Sequence, residues 1–170
     1  RTYSTTGREE ALHIGTAMHL LMERVALGVG EASQEGMASC LRALDCPPLS
    51  AKGQGRVDAL LKSLMRGNLL NTLDSVDVLG TEVPMLMAAS DDGPVGAWVG
   101  SIDLLYRCRI SGDVVIADHK TDRVGDRDPE DVARHHASQG RVYVEAVQKA
   151  MGLESPPRFE IWLIETDQRI

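Results

Sequence analysis

The chain has 170 residues, 43% hydrophobic and 25% charged, with 18 Lys+Arg against 25 Asp+Glu and a formal charge of −7. That length suits one domain able to bury roughly 70% of its unfolded surface, and the composition excludes a disordered tail. No apolar run reaches the roughly 18 residues of a membrane span, and no signal-peptide pattern opens the chain. Cys40, Cys46 and Cys108 are too few and too scattered for a disulfide framework or a Cys₄ metal cage, so a reducing cytoplasm is the expected setting. The start at Arg1 rather than Met predicts a piece of something longer. Net acidity counts against autonomous tight binding to duplex DNA, because Lys and Arg supply most of that affinity. It leaves room for an acidic metal site that receives DNA from a neighbouring domain.

Helices come first. Ala11, Leu12, Gly15, Met18, Met22, Val25 and Val29 recur at a helical period and predict a helix from about Arg8 to Gly30. A second is predicted over Glu31 to Leu44, stopped before Pro47-Pro48, and a third over about Gly55 to Leu73. The inner stripe of the third is Val57, Leu60, Leu61 and Leu64. The period then changes. Val76–Ala89, Val95–Arg107 and Val114–Lys120 are β-rich runs, separated by turn signals at Asp91-Asp92-Gly93-Pro94 and Ser111-Gly112-Asp113. Pro84 lacks an amide donor, which makes the first strand an edge or breaks it there. Pro129 opens a long helix to about Gly152, Ser155-Pro156-Pro157 ends it, and Phe159–Glu165 is the last strand. The order is helices, β-β-β, helix, β, with no internal repeat or second domain.

Polar residues that interrupt a core pattern mark candidate sites. His19 lies amid Met18 and Met22, four residues after Gly15 and about 40° round the helix from it. Gly15 would admit a close neighbour beside the imidazole; by itself, a histidine so placed is more often a hydrogen-bonded core residue. Asp103 stands inside Gly100-Ser101-Ile102-Asp103-Leu104-Leu105-Tyr106 and must find a partner, in an ion pair, at a wet edge or in a functional site. In Val114-Val115-Ile116-Ala117-Asp118-His119-Lys120-Thr121, alternation puts Asp118 and Lys120 on one face behind Val114 and Ile116. A carboxylate that holds Mg²⁺ beside a lysine that stabilises charge on phosphorus suits phosphodiester hydrolysis. A salt bridge at a strand end fits the tripeptide as well. Gln139 and Tyr143, one helical turn apart, point inward toward the sheet and need hydrogen-bond partners, either at a functional site or as a polar pair capping a buried backbone group.

Together these residues resemble the RecB-like nucleases of the PD-(D/E)XK superfamily, most closely the C-terminal nuclease domain of AddA-type helicase-nucleases. The resemblance runs from about Gly15 to Glu165. It rests on Gly15-x-x-x-His19, Glu82-Val83-Pro84, Gly100-x-Ile102-Asp103, Ile116-Ala117-Asp118-His119-Lys120-Thr121 and Gln139-x-x-x-Tyr143, in that order. It implies an α/β fold with a restriction-endonuclease-like core: N-terminal helices, then a mixed β-sheet flanked by helices. His19, Asp103 and Asp118 would bind the divalent metal, with the backbone carbonyl of His119 as a further ligand. Asp103, Asp118 and Lys120 would be the catalytic set, and Gln139 and Tyr143 would position the substrate. Glu82 would stand behind the ligands. His119 departs from the tyrosine more usual at that position, and cysteines for an iron–sulfur cluster are absent, so no cluster is expected.

The implied cofactor is Mg²⁺ or Mn²⁺, since one imidazole with two carboxylates makes a mixed N/O site. The implied activity is DNA cleavage to 5′-phosphate ends. The substrate expected is single-stranded DNA, fed by linked or associated helicase domains and a partner subunit during double-strand-break repair and recombination, with no membrane involved. Two other readings stay open. One is a non-catalytic structural or DNA-end-binding module of the same fold; the other is a hydrolase of small phosphoesters. His13, His135 and His136 are expected to be solvated, because adjacent histidines cannot both face one zinc ion. Arg107, Arg109, Arg123, Arg127, Arg134 and Arg141 could line a strand path, or form a solvated face diluted by Asp122, Asp126, Asp128, Glu130 and Asp131.

Overall fold

The structure is a computed structural model that describes residues 7–87 and 98–170. Four helices lead: α1 (Gly7–Ala26), α2 (Gln34–Ala43), α3 (Ala51–Leu64) and α4 (Asn68–Asp74). The strands are β1 (Val76–Met87), β2 (Trp98–Cys108), β3 (Val114–Lys120), β4 (Arg158–Leu163) and β5 (Gln168–Arg169), with α5 (Pro129–Arg134) and α6 (Ala137–Met151) between β3 and β4. Spatial order in the sheet follows chain order. Pairing is antiparallel throughout except between β3 and β4, which the α5–α6 crossover makes parallel. The fold is therefore α/β, a mixed five-stranded sheet flanked by helices. The turn expected at 91–94, with the adjoining ends of two β runs, lies outside the described residues.

The central strand β3 is buried on both faces. Val115 and Ala117 join Leu104, Tyr106 and Trp162 against Ile14, Met18, Leu21, Leu60 and Leu64 of the N-terminal helices. Val114 and Ile116 join Ile102 and Leu105 against Tyr143 and Val147 of α6. The result is three layers, helix over sheet over helix. β1 is an edge, and it continues unbroken through Pro84, which faces Ser101. Among the described residues no helix is long and apolar enough to cross a membrane.

The helices depart most from the sequence reading in three places. α1 stops at Ala26 because Gly28 takes φ +70° and the Gly28 and Val29 amides turn back onto the Val25 and Arg24 carbonyls. Val29 and Leu12 are exposed, and the buried stripe of α1 is Ile14, Ala17, Met18, Leu21 and Met22. The predicted third helix is two helices hinged at Gly67, whose φ is +92°. Asp167, from the turn after β4, accepts the Asn68 and Leu69 amides at 2.8 and 3.0 Å and so caps α4 from about a hundred residues away in sequence. The predicted helix over 129–152 breaks at His135-His136. Val132 and Ala133 of α5 pack on Ile161 and Leu163, whereas Tyr143 and Val147 of α6 pack on β2 and β3. The break lets each segment turn its apolar side to a different part of the sheet.

Gly140 seats α6 on β4, since a Cβ there would fall 2.5 Å from the Phe159 ring. Gly140→Ala should therefore destabilise the protein by about 1–3 kcal/mol through overpacking, outweighing the roughly 1 kcal/mol that alanine gains in a helix interior. Urea denaturation measures this, and a stabilised variant would contradict the seating.

Candidate metal centre

The site forms where β2 and β3 part. Their registered pairing runs from Arg107–Val114 to Leu104–Ala117 and goes no further. Beyond it the Asp103 carboxylate enters the gap, and its Oδ2 accepts the His119 amide at 2.6 Å. The other edge of β3 stays paired to β4 as far as Lys120, so the opening lies on the β2 side alone. The Lys120 carbonyl accepts the Ile164 amide at 3.0 Å on the β4 side. Because carbonyls alternate along a strand, the His119 carbonyl faces the gap that Asp103 occupies.

His19 comes down from α1 onto Asp103, with Nδ1 3.4 Å from Oδ1. Gly15, one turn earlier, admits the chain leaving β3: a Cβ there would stand 3.3 Å from the Thr121 hydroxyl. Glu82 comes from β1, where its φ of +46° is a conformation uncommon for residues with a side chain. Ser101 Oγ donates to Glu82 Oε2 at 3.1 Å. Ligand-type atoms of His19, Glu82 and Asp103 all lie within 4.8 Å of one another. His19 and Glu82 open onto a cleft of about 490 Å³, which Glu23 and Thr121 also help to line.

Asp118 stands outside that trio. It is buried, it projects from β3 toward the α6 layer, and its Oδ2 lies 2.7 Å from Lys120 Nζ. Among the described residues no second donor reaches that oxygen. The side chain of His119 turns the opposite way, into the helical core. Its ring lies 5.3 Å from that of Trp162 and 6.0 Å from that of His19, between centroids.

The ionisation of these groups follows from crowding. Burial pushes the Asp118 carboxyl up, with Lys120 opposing and Asp103 adding to the rise. Glu82 is likewise raised, first by desolvation and then by Asp103. Asp103 moves the other way: burial opposes its ionisation, but the His19 bond and charge and the His119 amide outweigh it. His19 is raised, since its bond and charge interaction with Asp103, helped by Glu82, overcome the burial that disfavours the cation. Burial drives His119 down to about 4, so its ring is neutral.

Gln139 and Tyr143 form one chain of hydrogen bonds. Gln139 Nε2 donates to the Tyr143 hydroxyl at 2.6 Å, and that hydroxyl donates to the Ser101 carbonyl at 2.7 Å. The pair thus ties α6 to β2 two residues before Asp103.

One surface expectation is corrected. His135 is exposed, but His136 keeps only 23% of its side-chain surface, sits 3.5 Å from Asp122 Oδ2 and feels the charges of Lys120 and Asp118. The rule that neighbouring histidines face apart contained this signal, since one facing out leaves the other facing in. Of the two readings left open for the arginines, four of them fit the one without a strand path. Arg107 and Arg109 lie at the opposite end of the sheet, bound to the Gly112 carbonyl and to Asp77. Arg134 pairs with Glu130 and Asp131, and Arg127 folds back onto the Arg123 and Val124 carbonyls. A cation the sequence reading missed, Arg56 of α3, holds the segment after β3. It donates to the Thr121 carbonyl at 2.8 Å and pairs with Glu165, which in turn accepts the Val124 amide.

No curated protein matches the sequence. A family model described as the PD-(D/E)XK nuclease superfamily matches residues 2–169, and members of that superfamily are typically nucleases that use divalent metal ions. The match covers nearly the whole length: the chain belongs to the PD-(D/E)XK nuclease superfamily.

Proposed function

We propose that this chain is a Mg²⁺- or Mn²⁺-dependent deoxyribonuclease domain of the RecB-like, AddA-type branch. It hydrolyses phosphodiester bonds of single-stranded DNA. The observation that carries the reading is the meeting of His19, Glu82 and Asp103 within 4.8 Å, beside the Asp118–Lys120 pair on the neighbouring strand.

The residues present fit a divalent ion. Glu82 and Asp118 are both raised in pKa by desolvation and by the Asp103 charge. Carboxylates crowded in this way are relieved by a nearby positive charge. His19, Asp103 and Asp118, with the His119 carbonyl, would hold the ion, and Glu82 would support them from across the cleft. When bound, such an ion polarises a phosphodiester and acidifies a coordinated water.

The chain's own residues supply the rest. Lys120, drawn in by Asp118, would orient the attacking water and stabilise charge developing on the phosphoryl oxygens. Asp103 holds His19 in one orientation through Nδ1. The Gln139–Tyr143 chain fixes the Ser101 backbone and with it the reach of Asp103, while Gln139, half-buried beside the site, would position the strand. A net charge of −7 leaves little electrostatic attraction for DNA over the molecule as a whole. In this reading the domain is therefore the nuclease part of a larger cytoplasmic helicase-nuclease, which delivers unwound strand during double-strand-break repair and recombination.

Labelled single- and double-stranded DNA should be cut with Mg²⁺ or Mn²⁺ and left intact with EDTA. Asp118→Ala and Lys120→Ala should each lower the cleavage rate by about 10²–10³-fold or more, with circular dichroism unchanged. Wild type that binds metal but leaves all DNA uncut would mean that cleavage needs the helicase partner, whereas wild type that also binds no metal would favour the non-catalytic module. Cleavage of a nucleotide-sized ester with no preference for polymer would favour a small-phosphoester hydrolase.

Metal binding should release protons, because the ion needs a neutral imidazole and the pKa of His19 is raised. Apparent Mn²⁺ affinity should be full well above that raised value and fall as pH drops through it, beginning above the ordinary histidine value of about 6.5. Calorimetry in two buffers of different ionisation enthalpy measures the release. His19→Ala should bind more weakly and with a flatter pH dependence.

A further inference from the structure

Beside the acidic cleft lies a second concavity, of about 410 Å³, with the opposite electrical character. Its lining includes Arg8, Lys52, Arg56 and Arg123 against Glu10 and Asp122. Three separate elements converge to make it: the first turn of α1, the first turn of α3 and the segment after β3.

The two carboxylates do not cancel the cations evenly. Both oxygens of Glu10 are engaged by Ser50, its amide at 2.6 Å and its hydroxyl at 2.9 Å. Arg56 is held by Glu165 and the Thr121 carbonyl. Arg8, Lys52 and Arg123 are all exposed; Glu10 feels the charge of Lys52 and Glu165 that of Arg123, and no carboxylate among the described residues lies within ion-pair distance of the three.

The two concavities adjoin. Ala11, Leu12 and Thr121 line both, so a strand lying across Thr121 runs from the His19–Glu82 cleft directly onto the cations. In an acidic protein, a concentrated positive hollow next to a phosphodiester-cleaving centre meets the charge of the same polymer a short distance along.

We infer that the Arg8–Lys52–Arg123 hollow binds a phosphate of the substrate strand flanking the cleaved bond. This rests on the nuclease reading above and adds a subsite to it. A terminal phosphate and an internal phosphodiester share the chemistry that these cations recognise.

Fluorescence anisotropy of a short single-stranded oligonucleotide tests it, with Ca²⁺ present to slow cutting and the strand unphosphorylated or phosphorylated at its 5′ or 3′ end. Arg8→Gln, Lys52→Gln and Arg123→Gln should each weaken binding by about three- to tenfold. The triple variant should lose about 0.7 units of the slope of log K against log salt, the share of one phosphate contact on a single strand. Mn²⁺ affinity and the urea midpoint should match wild type, and Lys149→Gln, on the far helix α6, should change nothing. Tighter binding of one phosphorylated end, erased in the triple variant, places a terminal phosphate in the hollow. Equal affinities, equally reduced, place an internal phosphodiester there. A triple variant with wild-type affinity and slope overturns the subsite while leaving the nuclease intact. Wild type that binds metal but no oligonucleotide overturns the nucleic-acid reading and the subsite with it.

Discussion

The bond from the His119 amide to the Asp103 carboxylate governs this structure. A buried strand amide must be paired, and ordinarily the neighbouring strand's carbonyl pairs it. Here a side chain does so, and β2 is free to leave β3 at Leu104. The separation creates a gap at the end of a fully buried strand, so polar groups gather at the edge of an apolar core rather than on an open surface. Burial then raises the stakes for every charge there.

The rest of the fold keeps that gap open and furnished. α1 lies close enough to bring His19 onto Asp103 because Gly15 leaves room for Thr121. α6 braces β2 from the other face through the Tyr143 hydroxyl and the Ser101 carbonyl. β1, an edge strand, turns Glu82 into the cleft through a left-handed backbone position, and the same Ser101 holds its carboxylate. Ser101 therefore receives α6 on its carbonyl and steadies Glu82 with its hydroxyl, two residues from Asp103. One short stretch of β2 couples the two helical layers to the centre.

Sign separation is the second organising feature. The cluster at the strand gap is acidic apart from Lys120, and the cations near it are confined to the hollow at the starts of α1 and α3. Arg56 and Glu165 pin the segment that divides the two, and Thr121 contributes to both. An acidic chain can thereby present local positive charge without weakening the acidic centre. Long-range attraction is traded for placement at short range, where screening is weaker.

Much of this was legible in the chain alone. Strand alternation put Asp118 and Lys120 on one face, Pro84 marked an edge or a break, and the motifs at Gly15, His19, Glu82, Asp103, Asp118, Lys120, Gln139 and Tyr143 resembled those of the superfamily. These are local or short-period properties, which residue order determines directly. Other features depended on contacts between distant segments. Asp167 caps the start of α4 from across the molecule, and the break at His135-His136 answers to two patches of sheet that the helix cannot anticipate. The closeness of Glu82 to His19 and Asp103 depends on a positive φ and on Ser101 of the next strand. The inward turn of His136 and the gathering of Arg8, Lys52 and Arg123 depend on how layers pack. The sequence by itself determined which chemical groups are available and on which strand or helix face they stand. Only the tertiary structure decided which of them meet, because hydrogen bonds and packing between segments far apart in the chain set those distances.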